Sequence, residues 1–269
     1  MFEISLIPAF KDNCIWLLTL GKRAFVVDPG DAAPVLARLD ADQLVLEGIL
    51  ITHHHADHQG GVAELKARYQ PAVFAPANES ITGCTHPLRG GESIQVLGQT
   101  VQVMAVPGHT LGHLAYFVPG ALFCGDTLFG AGCGRLFEGT PAQMSASLDS
   151  IARLPDATRI YCAHEYTEAN LRFARAVEPE SLAVQQRVAK VAALRALGLP
   201  SVPSTLTEEK ATNPFLRCTE SAVIEAGLRQ VAAQGRLANS GSRTADGKDA
   251  VDRSKTAIFA AIRGWRNNF

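Results

Sequence analysis

No apolar run in this sequence approaches the roughly 18 residues needed to span a bilayer, so no membrane-spanning helix is expected. The opening MFEISLIPAF carries Glu3, lacks a cationic stretch and alternates like a strand, which argues against a signal peptide. No C-x-x-C pair occurs among the six cysteines, Cys14, Cys84, Cys124, Cys133, Cys162 and Cys218. Their scatter favours free thiols in a reducing cytoplasm over a disulfide set. Neither sign of charge dominates, since 25 Lys and Arg stand against 26 Asp and Glu, a formal net charge of −1. Without a basic field there is no long exosite for nucleic acid and no pull toward an anionic membrane. A G-x-S-x-G nucleophile motif and internal repeats are also missing. What remains is an ordinary globular balance, 47% hydrophobic over 269 residues, enough for one large domain with a smaller appendage.

The first 165 or so residues read as short apolar runs punctuated by turns. FEISLIP, CIWLLTL, AFVVDPG, LEGILIT, AVFAP, TVQVMAVPG, LAYFVPG, ALFCGD and RIYCAH each have strand length and branched or aromatic content. Helical spacing appears between them at Ala32–Leu39, Gly60–Tyr69 and Ala142–Leu154, the last opening on a Thr140-Pro141 cap. Strands that outnumber helices and end in His or Asp predict two sheets with helices outside, a layered α/β sandwich. From Thr167 the chain turns helical. Two helices break near Pro179, LPSVPS connects, ESAVIEAGLRQVAAQ forms a third helix and SKTAIFAAIRGWRNNF a last one. The polar stretch GRLANSGSRTADGKDAVDR reads as a mobile loop; glycines at 241 and 247 would permit Asn239–Asp249 to order over a substrate, but a plain disordered loop is the preferred reading.

Four of the eight histidines fall within six residues, in GILITHHHADHQGG. Residues just past a strand are rigidly placed at the edge where ligands bind in α/β proteins. His53 and His55 point one way, Asp57 and His58 another, and His54 faces elsewhere. Later strand ends add His109 in PGHTLGH, Asp126 in CGDTLF and His164 in CAHEYT. Taken singly, a strand-end histidine is more often a hydrogen-bonded polar residue, and an aspartate after glycine a turn residue. Joined to the cluster they make seven donors, which two divalent ions sharing one carboxylate would use in full. His113 is then left as a supporting residue, and His86 as a solvated loop histidine.

THHHADHQGG, PGHTLGH, CGDTLF and CAHEYT, in this order, resemble the metallo-β-lactamase superfamily and within it the glyoxalase II (hydroxyacylglutathione hydrolase) family. GDTLFGAGCGRLFEGTPAQM, AHEYT, TNPFLR and IRGWRNNF carry the likeness across essentially the whole chain. The resemblance implies a four-layer αβ/βα sandwich over residues 1–166 and a C-terminal helical domain over 167–269 that completes a glutathione site. It implies that His53, His55 and His109 hold one metal, that Asp57, His58 and His164 hold the other, and that Asp126 bridges them. Zinc is the first choice of metal, with iron or manganese open. It implies hydrolysis of S-(2-hydroxyacyl)glutathione, such as S-D-lactoylglutathione, to glutathione and D-lactate in methylglyoxal detoxification, with Asp57 and Asp126 serving the chemistry.

For the peptide half of the substrate the resemblance points to Arg135, Tyr166, Arg263 and Arg266. Arg263 and Arg266 share a helix face, which spacing alone would read as a solvated basic surface. The family carries Lys where Arg266 stands, and several members carry Tyr where Phe137 stands. The expected protein is a cytoplasmic monomer with a small-molecule thioester substrate and neither a nucleic-acid nor a membrane partner. A persulfide dioxygenase of the same superfamily is the nearest rival enzyme, disfavoured because the second ligand set is complete.

Overall fold

The computed structural model describes residues 2–238 and 252–269. The first sheet holds six strands in the order β1 (Glu3–Ala9), β2 (Asn13–Leu20), β3 (Arg23–Val27), β4 (Val45–Leu50), β5 (Ala72–Pro76) and β6 (His86–Leu88). β1 to β3 run antiparallel as hairpins, while β3 to β6 run parallel. Parallel neighbours need crossovers, and these are α1 (Ala32–Asp42), the single turn α2 (Ala56–Gln59) and α3 (Val62–Tyr69).

The second sheet begins with the antiparallel meander β7 (Ser93–Val96), β8 (Gln99–Ala105), β9 (Leu114–Val118) and β10 (Ala121–Gly125). A small hairpin, β11 (Leu128–Phe129) with β12 (Gly132–Cys133), and α4 (Pro141–Ala152) follow before β13 (Arg159–Cys162) adds in parallel to β10. The rest is helical, α5 (Thr167–Val177), α6 (Leu182–Ala196), α7 (Leu206–Thr212), α8 (Ser221–Ala238) and α9 (Lys255–Asn267). The exception is β14 (Ser204–Thr205), which pairs with β13 and ties the helical region to the sheet.

Alternation along the strands builds the layers. Ile15 and Leu17 of β2 pack with Val35, Leu39 and Leu65 of α1 and α3, whereas Trp16 and Leu18 face the second sheet beside Val101, Val103 and Tyr116. Met144 and Leu148 of α4 join Phe173, Phe215 and Phe259 of the helical region on that second side. Helices, sheet, sheet, helices is the four-layer sandwich expected. All six cysteines are free, and among the described residues no helix is long and apolar enough to cross a membrane.

The nine apolar runs all form strands, and α4 starts where predicted, with Thr140 and Gln143 closing a capping box. Several expectations need correction. The helix expected over Gly60–Tyr69 is α3, starting at Val62, and a separate single turn, α2, precedes it from Ala56 with His55 at its N-cap position. Asp57 and His58 therefore sit on helical backbone, about 100° apart around its axis. His86 is on strand β6, exposed and stacked on Phe74 at 4.5 Å, rather than in a loop. α8 runs on to Ala238, taking in the start of the stretch read as a loop, and 239–249 lie outside the described residues. β6, β7, β11, β12, β14 and α7 were not anticipated.

Candidate active site

Every predicted metal ligand lies just beyond the carboxyl end of a strand. β4 runs into Thr52 and His53, β8 leads to His109, β10 ends at Asp126 and β13 leads to His164. Gly125 makes the third of these possible. Its φ is +48°, and a Cβ there would lie 2.3 Å from Thr52 Oγ1, so only glycine lets β10 end against the histidine loop.

The donors gather as two sets. His53 Nε2 and His109 Nε2 lie 2.9 and 3.0 Å from His55 Nδ1. Asp57, His58 and His164 form the other group. Asp126 stands between them, Oδ2 3.4 Å from His109 Nε2 and Oδ1 3.5 and 3.4 Å from His58 and His164 Nε2.

The outer nitrogens decide what the inner ones offer. His109 Nδ1–H donates to Arg135 O at 2.8 Å, and His164 Nδ1–H to Asp12 Oδ1 at 2.9 Å. Asp28 fixes one histidine in each set. It accepts His58 Nδ1–H at 3.0 Å, and it accepts the Thr52 hydroxyl at 2.7 Å. Having given its proton to Asp28, Thr52 Oγ1 is left to accept His53 Nδ1–H at 3.0 Å. In their neutral rings the Nε2 atoms of His53, His58, His109 and His164 therefore carry the lone pairs and turn them inward. His58 Nε2 and Asp126 Oδ1 are buried without a hydrogen-bond partner, and buried polar atoms are rarely left so.

Electrostatics agrees with this geometry. Burial, then repulsion from His58 and the other rings, pulls the His53 imidazole well below its usual range. His109 is lowered too, by burial first. Burial also pulls His58 down, but the carboxylates of Asp126, Asp28 and Asp57 outweigh it and lift the group to about 9. The centre favours a positive charge at that point, and a divalent ion supplies one. The donor set fits two such ions.

A cavity of about 790 Å³ opens from this centre. Its lining takes in nine of the eleven predicted site residues, and the other two, His53 and His58, lie buried behind it. Tyr166 stacks on His164 at 4.7 Å, nearly parallel. Burial, then the carboxylates of Asp12, Asp126 and Asp57, push its phenol up, so the hydroxyl stays a neutral donor. Arg263 is 6% exposed, donates Nη1 to Cys133 O at 3.1 Å, and leaves its buried Nε unpartnered. Arg266 is half-buried. Burial, then repulsion from Arg263, Arg135 and Arg172, pulls its guanidinium down. None of these four arginines pairs with a carboxylate among the described residues, and three of them, Arg135, Arg263 and Arg266, line the cavity beside the donor cluster.

Several supporting residues were not singled out from sequence. Asp28 follows β3 in VVDPG as Asp126 follows β10 in CGD, so strand-end position could have flagged it. Asp12 and Asn13, whose Nδ2 donates to Asp57 Oδ2 at 3.0 Å, look like hairpin turn residues. Glu79 has no local signal. His113, which the sequence did mark as a supporting residue, is buried, accepts Asp126 N–H at 3.1 Å and stacks on His53.

A two-sheet sandwich with an Asp- and His-rich centre at its strand ends defines a metallo-β-lactamase-superfamily protein. The model for that superfamily matches residues 12–164, and a model described as hydroxyacylglutathione hydrolase C-terminus matches 165–269. A hydroxyacylglutathione hydrolase from Dechloromonas aromatica is 78% identical over the full length of both chains, and one from Methylobacillus flagellatus 52%. The chain belongs to the hydroxyacylglutathione hydrolase family. Among solved structures, ETHE1 from Myxococcus xanthus is 24% identical with a TM-score of 0.61, covering 82% of this chain and 90% of its own. TTHA1623 in a di-iron-bound form is 26% identical with a TM-score of 0.57, covering 80% of this chain and all of its own. Superfamily membership brings a dinuclear divalent-metal site, and the His and Asp cluster is the place for it.

Proposed function

We propose that the chain hydrolyses S-(2-hydroxyacyl)glutathione, with S-D-lactoylglutathione as the reference substrate, to glutathione and a 2-hydroxy acid. The observation that carries this reading is the meeting, in one cavity, of a metal-ready centre with unpaired guanidinium groups. His53, His55 and His109 would hold one ion and Asp57, His58 and His164 the other, with the Asp126 carboxylate standing between the two sets. Zinc suits these nitrogen and oxygen donors, and iron or manganese are accommodated by the same set. Two divalent ions supply Lewis acidity at the acyl oxygen and lower the pKa of water toward neutrality.

The protein's own groups do the rest. Asn13 holds the Asp57 carboxylate toward the centre, where it orients the attacking water. Glutathione presents two carboxylates, which Arg263, Arg266 and Arg135 receive, and the peptide lies against Tyr166. Phe137 stands edge-on to His55 and His109, and Phe129 edge-on to His164, so the reacting carbonyl is screened from bulk water. A thiol with a pKa near about 8.5 departs as thiolate, so no protein acid is required. Cys133 lines the cavity, but burial pushes its thiol up despite Arg263 beside it, so it is a wall and not a nucleophile. One chain builds the whole cavity, so the working unit is a monomer, in the cytoplasm where glutathione is abundant.

The test is hydrolysis of S-D-lactoylglutathione by purified protein with metal counted on the same sample. Rapid turnover with close to two ions per chain is expected. No turnover at full loading sinks the substrate assignment and leaves the centre standing.

A further inference from the structure

His54 is the histidine of the cluster that belongs to neither ligand set. Its Nδ1–H donates to Glu79 Oε2 at 3.0 Å, and its Nε2 lies 3.3 Å from Glu138 Oε1. Both glutamates reach on to the loop that carries His109. Glu79 Oε1 accepts the Thr110 hydroxyl at 2.5 Å and Gly112 N–H at 2.9 Å, and Glu138 Oε2 accepts Leu111 N–H at 2.9 Å. Glu79 has a side chain only 4% exposed, and all its contacts join one ligand loop to the other. Gly112 is what lets it approach, since a Cβ there would lie 2.6 Å from Glu79 Cγ. Gln59 ties the Glu79 loop to the histidine loop, donating to His54 O and Ser80 O.

We propose that His54, Glu79 and Glu138 form a strap outside the metal centre, in which Glu79 is a positioning residue for the three-histidine set alone. The two carboxylates approach opposite nitrogens of one ring, Glu79 by a hydrogen bond to Nδ1 and Glu138 at an ion-pair distance from Nε2, so no one nitrogen of His54 faces both. The strap joins the loop of His53 and His55 to the loop of His109. The other set is steadied by Asp12, Asn13 and Asp28, which belong to different loops. Weakening the strap therefore loosens one ion and spares its neighbour. It also gives His54, the second histidine of THHHADH, a role that binding two ions leaves unassigned.

This inference rests on the two-ion reading above. The experiment loads parent, Glu79→Ala, Glu79→Gln and Glu138→Ala with Zn²⁺ and dialyses them against chelators of graded strength. Zinc per chain is then counted, and melting temperature and KM are measured on the same samples. Parent should keep two ions. Glu79→Ala should keep one tightly and hold the other roughly ten-fold or more weakly, with KM unchanged once zinc is in excess. Glu79→Gln should recover most of the loss, because its amide oxygen still accepts from Thr110 and Gly112, and the more exposed Glu138→Ala should shift the same ion less. Equal retention of both ions by Glu79→Ala and parent overturns the strap. So does joint loss of both ions with the melting temperature in all three variants, which marks a purely structural role. A parent that takes up fewer than two ions overturns the two-ion reading and the strap together, a case identified by the parent's own count.

Discussion

Glu209 and Asp126 are both buried carboxylates, and both serve the β11–β12 hairpin, but their surroundings are opposite. Glu209 Oε1 accepts Arg187 Nη2 at 2.5 Å and Ser204 Oγ at 2.6 Å, while Oε2 accepts Ala131 N–H at 2.8 Å and Asn213 Nδ2 at 3.1 Å. Asn213 also donates to Gly132 O at 2.9 Å. Every atom there is matched, and α6 and α7 thereby anchor the tip of the hairpin. Asp126, at the hairpin's base, faces bare imidazole nitrogens instead, with Oδ1 unpartnered. A closed polar cluster holds structure, and an open one of lone pairs awaits a cation.

The sharpest way to break this contrast is Asp126→Ala. It removes the carboxylate that faces both ligand sets, so kcat/KM should fall about a thousand-fold or more, with zinc content dropping alongside. A variant that turns over normally while poor in metal would show that the open cluster is not the reactive one.

Glu209→Ala tests the other side. Arg187 would be left buried and unpaired, which costs about 3–5 kcal/mol of stability, read from the denaturant midpoint. Replacing both partners with methionine should recover much of that loss. Metal content of the folded fraction should stay near that of the parent, because no metal donor touches the pair. Loss of zinc from folded Glu209→Ala would show that the two clusters are coupled through the hairpin.

The same contrast separates what could be read in the sequence from what could not. The metal centre was legible because each donor follows an apolar run, and a strand-ending His or Asp is visible in one dimension. Asp28 obeys that rule and could have been found by applying it once more. Glu209 could not. It lies in LTEEKATNP, a polar segment that reads as exposed, and only the packing of α7 against α6 and the hairpin buries it. Glu79 is one charge in a loop whose meaning depends on two other loops. The short edge strands β6, β7 and β14 lack enough alternation to declare themselves, since pairing with a longer neighbour is what makes them strands. The fold's layers were therefore readable from its long strands, and its cross-links were not.

The arginines that line the cavity belong to neither cluster, and the effect there should be smaller. Arg266→Ala removes one guanidinium from a group that also includes Arg263 and Arg135. A charged hydrogen bond is worth about 1.5–3 kcal/mol, so KM for the glutathione thioester should rise roughly ten-fold or more, with kcat nearly unchanged. A fall in kcat at constant KM would mean that Arg266 serves the reacting centre rather than the peptide.

The smallest effect expected belongs to Phe137→Tyr. Phe137 is 62% exposed and stands edge-on to His55 at 5.5 Å and to His109 at 5.2 Å. Its ring belongs to the mouth of the cavity and not to the core, so a hydroxyl can be added without repacking. Bound peptide amides would gain one neutral donor, worth about 0.5–1.5 kcal/mol, beside the arginines proposed to receive the carboxylates. KM should fall by roughly two- to ten-fold, with kcat and zinc content constant, and Phe137→Leu should not reproduce the gain. If tyrosine leaves KM unchanged while leucine raises it, the ring acts as an apolar screen over His55 and His109, and glutathione does not pass within reach of position 137.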